Sequence, residues 1–410
     1  MGDVASPATG SDGPQPMLPP AGALADPLSR DRPWEPYRAL YLHIPFCRSR
    51  CSYCDFATEA VEAGSSAVDA YFERLVMDVR RASKAGALGD IETIYVGGGT
   101  PTHAGNSNLT QLLYALSLSV RLENVSELTV EANPESFGER MAKDLWALGA
   151  NRISLGVQSF DDGLLRRIGR PHSADDALRA IEMAHSRFEN VSIDLMCGLP
   201  GQDVADVEES IGRALAEGVT HVSLYPLALE EGTPLALQVQ RGEAVLPSDD
   251  DAAEMMVQGS RLLESSGLAR YEVANHAKEG FESRHNLAYW TGIPYLGIGT
   301  SAATMRQDED GRVRIVDGRV TDSLDRRERV AEDMMLAMRT TRGIPDPMAA
   351  AASRELPRTE EVLSRLVGLG LAERSDGRWS PTERGWLLGN EMYVELMGLS
   401  DPTDGHGPER

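Results

Sequence analysis

The chain has 410 residues, length enough for two or three domains, and its 40 Lys and Arg against 63 Asp and Glu leave a net charge of −23. Such a balance repels phosphate backbones and anionic lipid, which excludes nucleic acid or polybasic membrane contact as the main role. With 41% hydrophobic and 25% charged residues the composition is globular, without a run near the roughly 20 apolar residues of a membrane span or a basic-then-apolar leader of a signal peptide.

Residues 1–36 hold eight of the 23 prolines and almost no aliphatic periodicity, so a disordered tail is expected there and again over 401–410. From Ala39 short apolar runs alternate with amphipathic stretches. The runs are Ala39–Ile44, Ile91–Val96, Glu127–Ala132, Arg152–Val157, Val191–Leu195 and His221–Tyr225. Val68, Tyr71, Phe72, Leu75, Val76 and Val79 recur at helical spacing, and helices are also expected over Thr110–Leu122, Phe137–Leu148, Ala174–Ser186 and Val204–Ala216. Apolar strands alternating with helices predict buried parallel strands with right-handed crossovers. Six units over 37–245 are too few for a closed eightfold barrel, so the α/β class narrows to a partial (β/α)6 barrel.

Residues 246–400 read as a C-terminal α+β domain. Helices are expected over Ser248–Ser266, Arg329–Arg339 and Glu360–Val367, with an extended Arg270–Ala274 and a Gly-rich Trp290–Ser301. Residues 357–395 read helix, hairpin, helix, a winged-helix-like pattern to which the acidic balance assigns packing or a partner rather than DNA.

Three of the four cysteines, Cys47, Cys51 and Cys54, form a C-x3-C-x2-C triplet just after the first strand. Thiolates hold iron–sulfur clusters, and three of them leave one iron of a [4Fe–4S] cluster open to a bound molecule. Arg48 and Arg50 would favour thiolate. The alternative is zinc with His43 as fourth ligand, although a closed zinc site usually pairs its ligands. Asp55 after Cys54 excludes a c-type haem attachment. A ligand cluster without a disulfide framework places the chain in a reducing cytoplasm. Cys197 reads as a small buried residue at a strand end.

In parallel βα folds, ligands bind at the carboxyl ends of the strands. There stand Gly97, Gly98, Gly99, Thr100 and Pro101, then Glu131, Gln158, Asp194 and Tyr225. Consecutive glycines permit close backbone approach and offer N–H groups to a carboxylate. Arg170 could pair with a carboxylate; His172 beside it is expected at the surface. Either His285 is a haem ligand with Tyr289 and Trp290 packed on a porphyrin, or His285–Trp290 is a buried aromatic turn joining two domains.

These motifs resemble the radical S-adenosylmethionine enzymes. More narrowly, YLHIPFCRSRCSYCDF, GGGTPT, VEANPES, RISLGVQSF, DLMCGLPGQ and RHNLAYW resemble the oxygen-independent coproporphyrinogen III oxidase group over residues 39–395. The oxidase branch carries a further Cys two residues after the third; this chain has Phe56 and, with its HNLAYW, looks like the haem-chaperone branch. The resemblance implies a [4Fe–4S] cluster on Cys47, Cys51 and Cys54, whose open iron takes S-adenosylmethionine. Tyr41, Tyr53, Gly98, Gly99, Thr100, Glu131, Gln158, Arg170, Asp194 and Ala228 would surround that cofactor, with Arg170 suited to its carboxylate. It further implies haem as cargo handed to respiratory proteins such as membrane cytochromes, reached through a protein partner. The alternative is oxidative decarboxylation of coproporphyrinogen III in porphyrin biosynthesis by a radical cleaved from the cofactor.

Overall fold

The computed structural model describes residues 37–401, so the expected tails at 1–36 and beyond Asp401 lie outside the described residues. Six strands run parallel in chain order: β1 (Ala39–Ile44), β2 (Thr93–Gly98), β3 (Glu127–Ala132), β4 (Arg152–Gln158), β5 (Asn190–Cys197) and β6 (His221–Pro226). They form because both faces are covered: every residue of β4 is buried, and Leu40, Leu42, Ile94, Val96, Val130, Ile153 and Ile193 meet one core. The crossovers are α1 (Ser66–Lys84), α2 (Asn106–Ser117), α3 (Glu139–Ala147), α4 (Asp162–Arg167) with α5 (Ala174–His185), and α6 (Val204–Ala216). In α1 the buried residues are Val68, Tyr71, Phe72, Leu75 and Val79, the stripe its spacing predicts. Capping boxes start α5 at Ser173 with Asp176 and α6 at Asp203 with Asp206.

The sheet continues past the sixth strand. After α7 (Pro234–Gln240) and α8 (Asp249–Ser265), β7 (Ala269–Arg270) and β8 (Asn275–Ala277) turn antiparallel against β6. At the opposite edge, β9 (Tyr295–Ile298) lies parallel to β1, and β10 (Ala303–Gln307), β11 (Gly311–Val316) and β12 (Arg319–Asp325) follow antiparallel. The twelve strands run in the order β12-β11-β10-β9-β1-β2-β3-β4-β5-β6-β8-β7. The Gly-rich Trp290–Ser301 contains β9. Its glycine at 297 hides the strand pattern and is required by space: a Cβ there would sit 2.2 Å from the Ala303 carbonyl oxygen.

Between these additions, α9 (Arg284–Trp290) closes the amino-terminal end of the barrel. The buried Glu127 carboxylate accepts from Arg284 N at 2.8 Å, His285 N at 3.2 Å and Ser283 Oγ at 3.3 Å, so a barrel side chain serves the free N–H groups of the helix start. Tyr271 Oη accepts from Ser283 N and meets His221 Nε2 at 2.8 Å.

A second core forms around α10 (Arg326–Ala337), α11 (Asp346–Glu355), α12 (Thr359–Gly368) and α14 (Gly389–Met397), with Met334, Leu363, Leu366 and Leu396 buried in it, while α13 (Glu383–Leu387) turns its Trp386 onto the barrel core. Between α12 and α13 the hairpin β13 (Ala372–Ser375) and β14 (Arg378–Pro381) turns at Asp376-Gly377, both at positive φ, which gives the helix–hairpin–helix order its wing. Several contacts join the two regions. Trp386 Nε1 donates to the Val273 carbonyl at 2.7 Å, and the Arg339 guanidinium lies between the Trp290 and Tyr393 rings. At the sheet edge, buried Arg312 pairs with Glu332 and Asp333 of α10. No described helix is long and apolar enough to cross a membrane.

Removing the Glu127 carboxylate strands several buried donors at once. Glu127→Ala should destabilise the fold by about 3 kcal/mol, and Glu127→Gln, which keeps an acceptor oxygen, should recover part of it; denaturant midpoints followed by far-UV dichroism measure both.

Candidate functional site

The carboxyl ends of β1 to β6 open on the side opposite α9. Alternate residues point inward: Tyr41 and His43 from β1, Tyr95 and Gly97 from β2, Glu131 from β3, Ser154 and Gly156 from β4, Asp194 from β5, Ser223 and Tyr225 from β6.

Above them lies the cysteine loop. Cys51 is buried and Cys47 and Cys54 are half-buried, and all three are free thiols. The backbone anchors the loop on both sides, since Ser52 N donates to the Ile168 carbonyl and Leu235 N to that of Ser52. Thr100 Oγ1 stands 3.6 Å from Cys47 Sγ and Arg170 Nη1 3.5 Å from Cys51 Sγ. Burial raises the Cys47 thiol, and the Thr100 hydroxyl partly offsets that. Arg48 and Arg50 are both exposed, and Arg50 Nε donates to the Cys54 carbonyl.

The glycine turn is packed to its limit. A Cβ on Gly99 would fall 2.9 Å from Cys47 Sγ, one on Gly98 2.6 Å from the His43 ring, and one on Gly97 2.8 Å from the Glu131 carboxyl. The turn therefore brings cysteine loop and acidic strand end together as no residue with a side chain could.

Glu131 accepts from Tyr95 Oη at 2.7 Å and from Gly98 N at 3.0 Å. Burial pushes its carboxyl up to about 7; the Tyr95 hydrogen bond works against the rise and the Asp194 charge adds to it. Burial also raises Asp194, which accepts from Ser154 Oγ at 3.5 Å. Gln158 holds φ 69°, a strained left-handed value for a non-glycine, and accepts from Tyr225 Oη at 2.8 Å.

Tyr41 and Tyr95 stack at 6.2 Å, and Tyr41 Oη meets His43 Nδ1. Tyr53 packs on Leu164, Ile168, Met196 and Leu199 beside Tyr225. Ala228 is exposed just beyond β6. Besides Cys51, Arg170 donates to Asn133 Oδ1 at 2.8 Å and to the Gly156 carbonyl. His172, expected at the surface, is buried, with Nε2 3.0 Å from the Val157 carbonyl and Nδ1 3.5 Å from Glu135. Cys197 ends β5 fully buried, and burial pushes its thiol up to about 12.

His285 lies beneath this site rather than at its mouth. Its Nδ1 meets Thr93 Oγ1 at 2.9 Å, its Nε2 meets Tyr289 Oη at 3.0 Å, and its ring stacks on Tyr95 at 5.1 Å. Burial, then the Arg152 charge, lowers its pKa to about 3. With both nitrogens engaged it has no lone pair free for iron in this conformation. Of the two readings of HNLAYW, the geometry favours the buried turn, Tyr289 filling the floor and Trp290 the joint with the second core.

Sequence reasoning missed Asn133, whose Nδ2 donates to Thr100 Oγ1 while Oδ1 takes Arg170, tying the glycine turn to the cysteine loop. Its place after Glu131 in VEANPES was the available signal. Tyr95 and Arg152 were missed because a strand's apolar run conceals its inward polar residues.

The donor set suits a cluster better than a single ion. Among the described residues no three His, Cys, Asp or Glu side chains converge on one metal position. His43 is committed to Tyr41 Oη and to the Ala57 carbonyl. Three free thiols on one loop, one facing a glycine, match a cubane whose irons each take one thiolate.

Residues 41–214 match the Radical SAM superfamily and residues 324–388 the HemN C-terminal domain. The chain is similar to the heme chaperone HemW of Bacillus subtilis (strain 168), 35% identical over 378 residues, 88% of this chain and 99% of that protein. HemW of Mycobacterium tuberculosis (strain H37Rv) is 34% identical over 89% of this chain and 96% of its own length. Among solved structures, coproporphyrinogen III oxidase (HemN) from Escherichia coli shares the fold, with TM-score 0.72 and 19% identity over 88% of this chain and 90% of that one.

Because the Glu131 carboxyl titrates higher folded than unfolded, its stabilising contribution is complete below about 4.5 and is lost as pH rises through about 7. Between those limits the parent should lose on the order of 3 kcal/mol relative to Glu131→Gln. Denaturant midpoints of the two proteins across pH 4 to 8 measure this, and the buried histidines cancel in the difference.

Proposed function

Since the chain belongs to the HemW haem-chaperone family of radical S-adenosylmethionine proteins, we propose that it binds haem and hands it to an acceptor protein of respiration. Cys47, Cys51 and Cys54 would hold a [4Fe–4S] cluster, and Gly98, Gly99, Thr100, Glu131, Gln158, Arg170 and Asp194 would surround S-adenosylmethionine. When bound, that pair supplies one-electron chemistry at a sulfonium. The protein's part is to place and shield it. Gly98 N and Tyr95 Oη fix the Glu131 carboxylate, Asn133 locks Thr100 and Arg170 together, and Arg170 spreads positive charge onto the Cys51 thiolate.

One observation carries the chaperone reading over the oxidase. Phe56, two residues after Cys54, stands 66% exposed on the cysteine loop where the oxidase branch has a fourth cysteine. An exposed phenyl beside the cluster loop offers a planar apolar face, suited to a porphyrin rather than to another metal ligand. The HemN likeness is one of fold and is shared by both readings.

The test is anaerobic and paired, on reconstituted protein with dithionite and S-adenosylmethionine. Haem titration should give a bound Soret spectrum, while coproporphyrinogen III stays unconverted. Decarboxylation at a catalytic rate would overturn the chaperone reading in favour of the oxidase. Cys51→Ala should lose the iron–sulfur absorbance, and Gly99→Ala, whose methyl displaces Cys47 Sγ, should retain less iron per chain than the parent while keeping its far-UV spectrum.

A further inference from the structure

A line of aromatic rings runs from the mouth of the barrel down through its floor. Tyr41 on β1 and Tyr95 on β2 are cross-strand partners whose rings stack at 6.2 Å. Tyr95 stacks on His285 at 5.1 Å, His285 meets Tyr289 edge-on at 5.0 Å, and Tyr289 meets Tyr295 edge-on at 4.7 Å. Tyr41 is half-buried at the upper end, and Tyr295 is half-buried at the lower, beside Arg314 at the start of β9. Aromatic residues make up 6% of the chain, yet four of its 11 tyrosines stand in this one line. Packing alone asks for apolar rings, so a floor built of phenols needs a further reason.

Each of the three inner phenols meets a base. His43 Nε2 faces the Ala57 carbonyl at 3.1 Å, which can only accept, so Nε2 carries the hydrogen and Nδ1 accepts from Tyr41 Oη at 3.0 Å. Tyr95 Oη donates to the Glu131 carboxyl at 2.7 Å. Tyr289 Oη meets His285 Nε2 at 3.0 Å, and with Nδ1–H donating to Thr93 Oγ1 that nitrogen accepts. Burial raises all three phenols, so each keeps its proton at rest. Two other tyrosines near the mouth have no base: Tyr225 Oη donates to Gln158 Oε1 and Tyr71 Oη to the His43 carbonyl. Tyr271 with His221 is a further pair, off this line. A phenol loses an electron far more readily when its proton has an acceptor in place, so oxidation favours the line over Tyr225 and Tyr71.

We propose that Tyr41, Tyr95, Tyr289 and Tyr295 form a drain for oxidising equivalents, carrying a radical that finds no cargo at the mouth to the edge of the sheet. The source rests on the reading that S-adenosylmethionine binds at the mouth; the path does not. A carbon-centred radical there takes the hydroxyl hydrogen of Tyr41, C–H forming as O–H breaks. Tyr95 passes one electron to the Tyr41 phenoxyl, which takes a proton from water at the open mouth, while the Tyr95 proton moves to Glu131. Tyr289 then reduces Tyr95 across the His285 ring; Glu131 returns its proton, and His285 Nε2 takes that of Tyr289. Tyr295 reduces Tyr289 in turn, His285 gives its proton back, and Tyr295 releases its own to water. A soluble thiol restores Tyr295 and leaves as a thiyl radical, so the sum is one hydrogen atom moved from thiol to carbon.

The first arm of the test needs no cofactor. In the full chain with Cys51→Ser and Cys54→Ser, a ruthenium polypyridyl photo-oxidant is attached to Cys47, since Cys197 is fully buried. Tyr289 is replaced by 3-aminotyrosine, a radical trap with its own electron paramagnetic resonance signal. A flash in the presence of a cobalt(III) quencher should give that signal. Tyr95→Phe and Tyr41→Phe, each with the parent's far-UV spectrum, should lose most of it, and Tyr71→Phe should keep it. No signal in the parent overturns the path. So does an undiminished signal in either Phe variant, which means one folded variant decides. The second arm uses reconstituted protein with the same trap, S-adenosylmethionine, no haem and one electron-equivalent of dithionite per cluster. The same signal is expected; its absence while methionine forms overturns the drain as an outlet for the cofactor radical. If no methionine forms, the cofactor reading fails instead, and the flash still decides the path.

Discussion

Six parallel strands do not close a barrel, and their inward-facing polar residues would stand in bulk water unless something covers the floor. Glu127 solves this by holding the start of α9 against the amino-terminal end of the strands. From that contact the rest is built upward. His285 is seated on Thr93 and stacks on Tyr95, Tyr95 donates to Glu131, and Glu131 receives the Gly98 amide. The chemistry at the mouth is thereby held by contacts reaching down to a helix some 158 positions along the chain from Glu127. Burying each of these groups is tolerable only because each has its partner.

Legibility of the sequence follows the range of the interactions. Strands β1 to β6 and most of their helices are local patterns, apolar runs alternating with amphipathic stretches, and the structure has them there within a few residues, although α2 runs from Asn106 to Ser117 instead of Thr110 to Leu122 and the short α4 had no such pattern. The cysteine loop and the glycine turn are local too. What escaped was long-range. β9 is four residues with a glycine inside, and pairs with β1 across more than 250 positions. His172 looks like any loop histidine until Val157 and Glu135 enclose it. HNLAYW has the composition of a ligand site and the location of a plug.

Charged residues at strand starts mislead in the same way. Glu127 begins β3 and Arg152 begins β4, and in a pattern of apolar runs each reads as the solvated edge of its strand. Both are interior. A strand of a parallel barrel starts at the floor, so a charge there enters the chamber instead of water. The contact of Arg170 with Cys51 is long-range too, since Arg170 arrives from a different βα unit.

The C-terminal module is tied to the edge of the sheet by ion pairs centred on the buried Arg312 and Glu332. Arg312 is enclosed by Glu332, Asp333 and Gln307, and Arg314 reaches Glu332 from the next pleat position. Mobile salt screens exposed charges and leaves such enclosed ones largely alone. Swinging the module away would uncover an arginine and two acids together, a loss on the order of several kcal/mol. Barrel and module therefore move as one body, and the opening above the strand ends keeps its shape without a hinge between them.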